Sequence, residues 1–465
     1  MLSNIDVDRH YTGTFKIVDE ELTGDLIYNK KHGTILLNLS KQLVDKDLFG
    51  KSYGTLDIIV GKINSGAIVT LFNNRCVNNH TQAFQMQQLV FSSSYLIWSN
   101  NEASDQKYDK LVCRLQNAYA WSKFELFERI ESPGWKVKET FEKKVYGWFD
   151  AKITFFPYLN NALYAPPDEE ETTITQRLVV EIETGRKESA IELVAIRNKI
   201  ISLISFATKN NINIEEQYLV DYDDSYVIAE NFKDYHKHYL LSSEPFLDMR
   251  KAYRWEYNFY LDQLPPDKDI NKELVKLEPV FNLYLSLFKY RDMPPEMRFL
   301  NIVQALETFH ARFFYDDKKE KYVESVKERF GGSRNFEIFE KLLLSDTQKD
   351  PNCKHIILVS RLNDMLIGKY DGLFFEYYCG REGYAQTIAD TRHYYTHYGK
   401  SKEKKALRGS DLTEATYILR LLLEYHVCAV LGIDKRDQIA SQLGSHEMWS
   451  QLSKHQNVAI AQNAK

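Results

Sequence analysis

The sequence predicts an α+β protein: an antiparallel, β-rich and sandwich-like N-terminal domain, a mixed middle region and a C-terminal all-α helical bundle. Three observations carry that reading. Short aliphatic and aromatic runs alternate with turn residues over the first 160 or so positions, helical periodicity dominates after residue 266, and Pro-Pro pairs punctuate the changes of texture. The pairs are Pro166-Pro167, followed by the acidic run Asp168 to Glu171, then Pro265-Pro266 and Pro294-Pro295. Proline removes a donor and restricts the residue before it, so each pair marks an element boundary. The domains expected are therefore 1–165, 166–265 and 266–465.

In the first domain the strand-like runs are 14–18, 33–39, 55–60, 67–72 and 95–98, with turn residues Lys31-His32-Gly33 and Asn64-Ser65-Gly66 among them. Residues 61–71 read as strand, turn and strand. In the middle region Leu193, Ile196, Ile200, Leu203 and Ala207 recur at helical spacing, which predicts an amphipathic helix over 187–210. The tyrosines that follow, Tyr226, Tyr235, Tyr239, Tyr253, Tyr257 and Tyr260, could stack nucleobases, but packing at half-buried positions is the simpler role.

In the third domain Pro294-Pro295 opens a helix over 296–314 with the apolar stripe Phe299, Ile302, Val303, Leu306, Phe309 and Phe313. Further helices are expected over 322–330, 336–344, 354–367 and 384–398. The last runs over 411–431, with Asp411 as its cap and Glu414 reaching back to complete a capping box. Short connections favour an antiparallel bundle.

With 44% hydrophobic and 27% charged residues, the 465-residue chain has the composition of an ordinary globular protein. The acidic residues Met1 to Asp8 lack the pattern of a signal peptide, and even the apolar run 421–431 is interrupted by Glu424 and His426, so no membrane span is expected. Five scattered cysteines (Cys76, Cys113, Cys353, Cys379 and Cys428) point to a reducing cytoplasm rather than a disulfide framework. A net charge of −5 argues against nonspecific coating of nucleic acid. From residue 291 onward, however, 26 Lys+Arg face 24 Asp+Glu, and the acidic excess lies before it.

The most chemically suggestive segment is Arg392-His393-Tyr394-Tyr395-Thr396-His397, in a helix expected to end at Gly399. A permanent guanidinium and an imidazole that titrates near neutrality are the groups needed to cleave RNA without a metal. A base takes the proton of the ribose 2′-hydroxyl, and a fixed cation stabilises charge on the phosphorus oxygens. Five residues of ideal helix turn through about 500°, so Arg392 and His397 point about 140° apart. They converge on one phosphate only by flanking a cleft, which favours a dimer with facing helices. Residues 399–409, with Lys400, Lys402, Lys404, Lys405 and Arg408, form a flexible basic loop that would bind flanking phosphates, although such a run is equally a solvated connection.

The same residues admit other readings. Asp390, His393 and His397 share one helical face and could be metal ligands, and Cys353 lies near His355 without a distinctive spacing. Alternatively Arg392 pairs with Glu307 or Asp390 while the histidines and tyrosines line a core. Glu307, close to the buried stripe, either orients Arg392 or His397 or stands in water at the stripe's edge.

The C-terminal part resembles a HEPN domain, a nucleotide-binding helical bundle, through Arg392, the polar His393 and His397 in the pattern R-x-x-x-x-H, with Leu306-Glu307 in an early helix. The whole chain resembles ApeA-type anti-phage proteins, through Gly13-Thr14-Phe15, the segments 33–39 and 61–71, and Ile388-Ala389-Asp390-Thr391-Arg392-His393. The resemblance implies an endoribonuclease without metal or other cofactor, acting as a homodimer or higher homo-oligomer. It also implies an RNA substrate, for which tRNA is one candidate, and restraint until a phage-derived activator appears. His397 would be the general acid/base, Arg392 the transition-state cation and His393 an assistant, with Glu307 an orienting group. A HEPN toxin branch carries tyrosine two positions after the histidine. Here Gly399 stands there and Tyr398 precedes it, so that branch's properties are not carried over. The alternative is a catalytically silent HEPN scaffold that binds RNA or a protein.

Overall fold

The structure is a computed structural model. It describes residues 9–42, 54–82, 86–99, 107–130, 134–138, 141–161, 174–229, 232–243, 257–266, 268–290, 292–314, 318–332, 336–367, 373–374 and 383–445. The Pro166-Pro167 boundary, Tyr253, Cys379 and the N-terminal residues 1–8 lie outside the described residues, as do the side chains of Tyr226 and Tyr235. The chain forms two units, Met1–Ile201 with Asn211–Met249, and Ser202–Asn210 with Arg250–Lys465.

In the first unit β1 (Arg9–Ile17), β2 (Glu20–Asn29), β3 (Thr34–Gln42), β4 (Thr55–Ile63), β5 (Ile68–Gln82) and β6 (Met86–Ser92) pair antiparallel in the ring β5-β4-β1-β2-β3-β6-β5. The sandwich-like expectation is thereby refined to a closed barrel. Period-two alternation is common to both architectures, and closure depends on a single long strand. That strand is β5. Its start pairs with β7 (Tyr95–Ser99) and its end with β6, and the change of partner falls at Asn73, in the left-handed region at φ 52°. The buried Asn74 fixes the crossing: its side-chain amide donates to the Leu56 and Leu71 carbonyls at 3.1 and 3.0 Å, and it accepts from the Ser93 hydroxyl at 2.7 Å.

Both turn motifs form as expected. Gly33 at φ 60° closes β2 to β3, and Gly66 at φ 90° closes β4 to β5. Inside the barrel Phe15 lies opposite Gly61 in the β1–β4 register and covers it. A Cβ on Gly61 would lie 2.2 Å from the Phe15 ring. An aromatic ring laid over a glycine suits a tightly coiled barrel, because it restores the contacts the missing side chain would have made. Gly61→Val is therefore expected to destabilise the first unit by about 1–3 kcal/mol by overpacking, read as a lowered urea midpoint. An unchanged midpoint would show that the ring moves aside freely.

The sheet continues through β7, β15 (Phe232–Ser242), β14 (Ile214–Ala229), β8 (Lys107–Leu115), β13 (Ile174–Ser189), β12 (Ala151–Asn161) and β11 (Lys144–Trp148). Residues 174–242, in the stretch that the sequence sets apart as a middle region, thus supply three strands to the same sheet. The short helix α1 (Tyr119–Ser122) brings Trp121 against Phe155, and β9 (Phe127–Ile130) pairs with β10 (Gly134–Val137) as a separate ribbon. Helix α2 (Ala190–Thr208) begins three residues later than the periodicity predicts, because residues 187–189 complete β13.

The second unit is helical: α3 (Asn271–Lys289), α4 (Pro295–Phe313), α5 (Lys319–Phe330), α6 (Phe336–Leu343), α7 (Asp346–Lys349), α8 (Leu358–Ile367), α9 (Tyr384–His397), α10 (Lys400–Glu403) and α11 (Gly409–Val430). Helix α4 buries the predicted Phe299, Ile302, Val303, Leu306 and Phe309, and it packs against α3, α8, α9 and α11. Phe313 is half-buried, stacked on Phe309 at 4.7 Å. Helix α11 is buried on every side over residues 421–428, the pattern of a central helix. It starts two residues before the expected cap, so Asp411 stands in its first turn, where a carboxylate suits the helix dipole. Among the described residues no helix is long and apolar enough to cross a membrane.

Candidate functional site

Helix α9 turns Ala385, Ile388, Asp390, Thr391 and Tyr395 inward, where α4 and α8 pack. The spacing of Ile388, Thr391 and Tyr395 is that of one helical face. His393 and His397 are exposed instead. They stand one turn apart, with ring centroids 4.9 Å from each other. Arg392 lies between the two faces, half-buried, with Nη2 3.6 Å from Oε2 of Glu307 on α4. Glu307 thus stands beside Arg392. An ion pair this exposed adds little stability, but it restricts where the guanidinium points.

Asp390 takes no part in that pair. Its carboxylate accepts from Lys402 Nζ at 2.6 Å and from Gln386 Nε2 at 2.9 Å. Burial pushes the carboxyl up, but Lys402 and Gln386 outweigh it and hold Asp390 below the usual carboxylate range. The face that could have gathered Asp390 with the two histidines is therefore divided, the carboxylate inward and the imidazoles outward. Among the described residues no group of three or more His, Cys, Asp or Glu is gathered as a metal site. Cys353 donates to the His355 carbonyl at 3.1 Å, and Cys76, Cys113, Cys353 and Cys428 all stand outside any disulfide.

The helix does not end at Gly399. Tyr398 is the left-handed cap, at φ 50° and ψ 33°, with its amide donating to the Tyr394 carbonyl at 2.5 Å, while Gly399 is extended. The sequence places glycine there because it alone adopts φ > 0 without cost, whereas a tyrosine gives up about 1–2 kcal/mol.

The basic segment is not a flexible loop either. It is latched to α9: Lys402 of α10 reaches the buried Asp390, and beyond α10 Tyr395 Oη donates to the Leu407 carbonyl at 2.9 Å and the Leu407 amide donates to Thr391 Oγ1 at 3.1 Å. Lys400, Lys404, Lys405 and Arg408 remain exposed, whereas Lys402 is half-buried. Arg408 approaches the Tyr394 hydroxyl and Glu403, each at 3.3 Å, and lies 5.5 Å from the centre of the Tyr394 ring. A glycine-flanked run of lysines carries no sign of this latch in sequence, because its anchors are Thr391 and Tyr395 on the preceding helix.

Two buried polar clusters in the helical unit escaped the sequence reading. Glu424 on α11 meets Lys209 at 2.7 Å, the Tyr284 hydroxyl of α3 at 2.6 Å, Arg420 at 3.4 Å and Lys435 at 4.0 Å. Burial pulls its carboxyl upward, but Lys209, Arg420 and Lys435 prevail and hold it at about 2. Burial brings Lys209 down to about 8 against the attraction of Glu424. In the second cluster Asp364 accepts from His310 Nε2 and Arg329 Nη1, each at 2.9 Å. Nearby, His426 Nε2 meets the Met365 carbonyl at 2.9 Å, and burial drives this imidazole down to about 4. Glu424 and His426 were visible in the sequence as interruptions of an apolar run, which is the one sign that could have revealed them.

The helical unit and its exposed Arg-His helix define the class: residues 300–437 match ApeA-like HEPN, so this is a HEPN-domain protein. Residues 10–277, more than half of the chain, match ApeA N-terminal domain 1, and the chain belongs to the ApeA family with a C-terminal HEPN domain. Membership supports, at the level of the family, a HEPN nuclease of anti-phage defence. No curated protein and no solved structure matches the chain.

Proposed function

We propose that this protein is a metal-independent endoribonuclease acting in anti-phage defence through the exposed face of α9. The observation that carries this reading is the arrangement of Arg392, oriented by Glu307 at 3.6 Å, beside the exposed imidazoles of His393 and His397 and the latched basic segment. The ribose 2′-oxygen attacks the adjacent phosphorus, a new P–O2′ bond forms and the P–O5′ bond breaks. His397 takes the 2′-hydroxyl proton as general base and returns a proton to the departing 5′-oxygen as general acid, and Arg392 stabilises the phosphorane-like charge. His393 assists or holds the substrate backbone, while the exposed Lys400, Lys404, Lys405 and Arg408 flank the bound phosphates and Lys402, expected among them, instead holds Asp390. The products are a 2′,3′-cyclic phosphate and a 5′-hydroxyl, and DNA is refused because it lacks the nucleophile.

The angular offset of Arg392 and His397 favours a homodimer in which two α9 helices share one cleft. The β-rich N-terminal unit senses a phage component or restrains the nuclease, and tRNA is a natural target for an enzyme that stops translation. The test is cleavage of total cellular RNA by the full chain in the presence of a chelator, with the 3′ ends of the fragments analysed. Cyclic-phosphate ends in chelator support the proposal. Loss of cutting on chelation would move it to a metal enzyme. Equal cutting by the Arg392→Ala and His397→Ala variants would overturn the site and favour the silent scaffold.

A further inference from the structure

The C-terminal end of α9 exposes more aromatic surface than packing requires. Tyr395 turns inward, but Tyr398, the residue directly after His397, is 66% exposed and held in the left-handed region at φ 50°. Its ring lies 5.5 Å from that of Tyr394, and on the Tyr394 ring lies the Arg408 guanidinium, also at 5.5 Å. Exposed Lys400, Lys404 and Lys405 follow within seven residues. A strained backbone at a non-glycine residue persists only where its surroundings hold it, and such positions cluster at binding sites. Gly399 follows immediately, so the same turn could have been built without strain one residue later.

Resting on the ribonuclease reading above, we infer that Tyr398, backed by Tyr394 and Arg408, is a stacking platform for one unpaired nucleobase beside the phosphate held at Arg392 and His397. The substrate class is then single-stranded RNA, a loop or an unpaired segment. Three arguments support this assignment. An aromatic face binds any base without sequence preference, as a sequence-tolerant platform must. The lysines and Arg408 supply the charge that tracks a phosphate backbone. Bases inside an A-form duplex are already stacked on their neighbours and cannot reach a side chain at a helix end.

The test measures binding of a short labelled single-stranded oligoribonucleotide, and of the same strand annealed to its complement, to the full chain carrying His397→Ala. Further substitution of Tyr398→Ala or Tyr398→Gly is expected to weaken single-strand binding roughly 5- to 150-fold, whereas Tyr398→Phe retains it. The duplex is expected to bind more weakly and without regard to Tyr398. Tyr398→Gly also relieves the left-handed strain, so its thermal midpoint should not fall, which separates loss of a platform from loss of the fold. Unchanged single-strand binding in both Tyr398→Ala and Tyr398→Gly would overturn the inference, as would equal affinity for single strand and duplex. Because the readout is binding, it needs no activated enzyme: a parent chain that cuts no RNA even when phage lysate is added refutes the nuclease reading while leaving this test intact. Cutting by the parent together with Tyr398-independent binding refutes the platform alone.

Discussion

Replacing His397 by alanine is expected to lower RNA cleavage by roughly 10²- to 10⁴-fold, the usual contribution of a positioned general acid or base. Arg392→Ala should cost about 10²- to 10³-fold, the scale of removing one donor from a preorganised anion site. The two side chains fail differently, His397 by removing the group that moves a proton and Arg392 by removing the fixed donor that stabilises the phosphorane-like charge. Glu307→Gln tests the orienting role: with the carboxylate beside Arg392 neutralised, a fall in turnover much smaller than that of Arg392→Ala is expected, and lysine at 392 should not restore the planar donor pair. All four variants are on half-buried or exposed positions, so unfolding midpoints equal to the parent's should accompany the kinetic losses. A His397→Ala enzyme that cuts at the parental rate would remove this histidine from the mechanism.

Glu424→Ala is expected to destabilise the helical unit by about 3–5 kcal/mol, because it leaves Lys209 and Lys435 buried without their shared counter-charge. The opposite substitution to a hydrophobic residue at all members at once would be far milder, which is the mark of a desolvated ion cluster. Acid should act on the same core, and the signs agree. Glu424 is ionised in the fold down to about 2, below its ordinary 4.5, so its contribution is present above pH 4.5 and is lost as pH falls toward 2. His426 is held neutral down to about 4, below its ordinary 6.5. The unfolded chain therefore takes up a proton between pH 6.5 and 4 that the folded chain refuses, and stability again falls on acidification. The unfolding midpoint should descend in two stages, first below pH 6.5 and then below pH 4.5. A midpoint that stays flat from pH 7 to pH 4.5 would remove His426 from the account, and a loss under about 1 kcal/mol for Glu424→Ala would remove the cluster.

Much of the architecture was legible residue by residue. Strands β1, β3, β4, β5 and β7 each overlap one of the aliphatic and aromatic runs, though β1 starts earlier and β5 runs ten residues further than its run, and α4 buries the stripe its periodicity marks. Helix α3 was not among the helices expected from the sequence, and it runs through Pro279, a residue that normally ends a helix. Barrel closure could not be read either, since the pairing of β5 with β6 is a contact between segments whose own patterns suit an open sheet equally well.

The candidate site divides the same way. Spacing alone put Arg392 and His397 on different sides of a helix and His393 beside His397, because helical geometry fixes those relations locally. Which side faced solvent was decided by α4 and α8, and so was the choice of Glu307 over Asp390 as the neighbour of Arg392. Tertiary contacts also turned the basic segment into a latched ledge and moved the helix cap from Gly399 to Tyr398. Propensity ranks glycine first at such a cap because it counts only the backbone of one residue. The hydrogen bonds that tie Leu407 to Tyr395 and Thr391, 12 and 16 residues upstream, belong to the fold, and no local pattern encodes them.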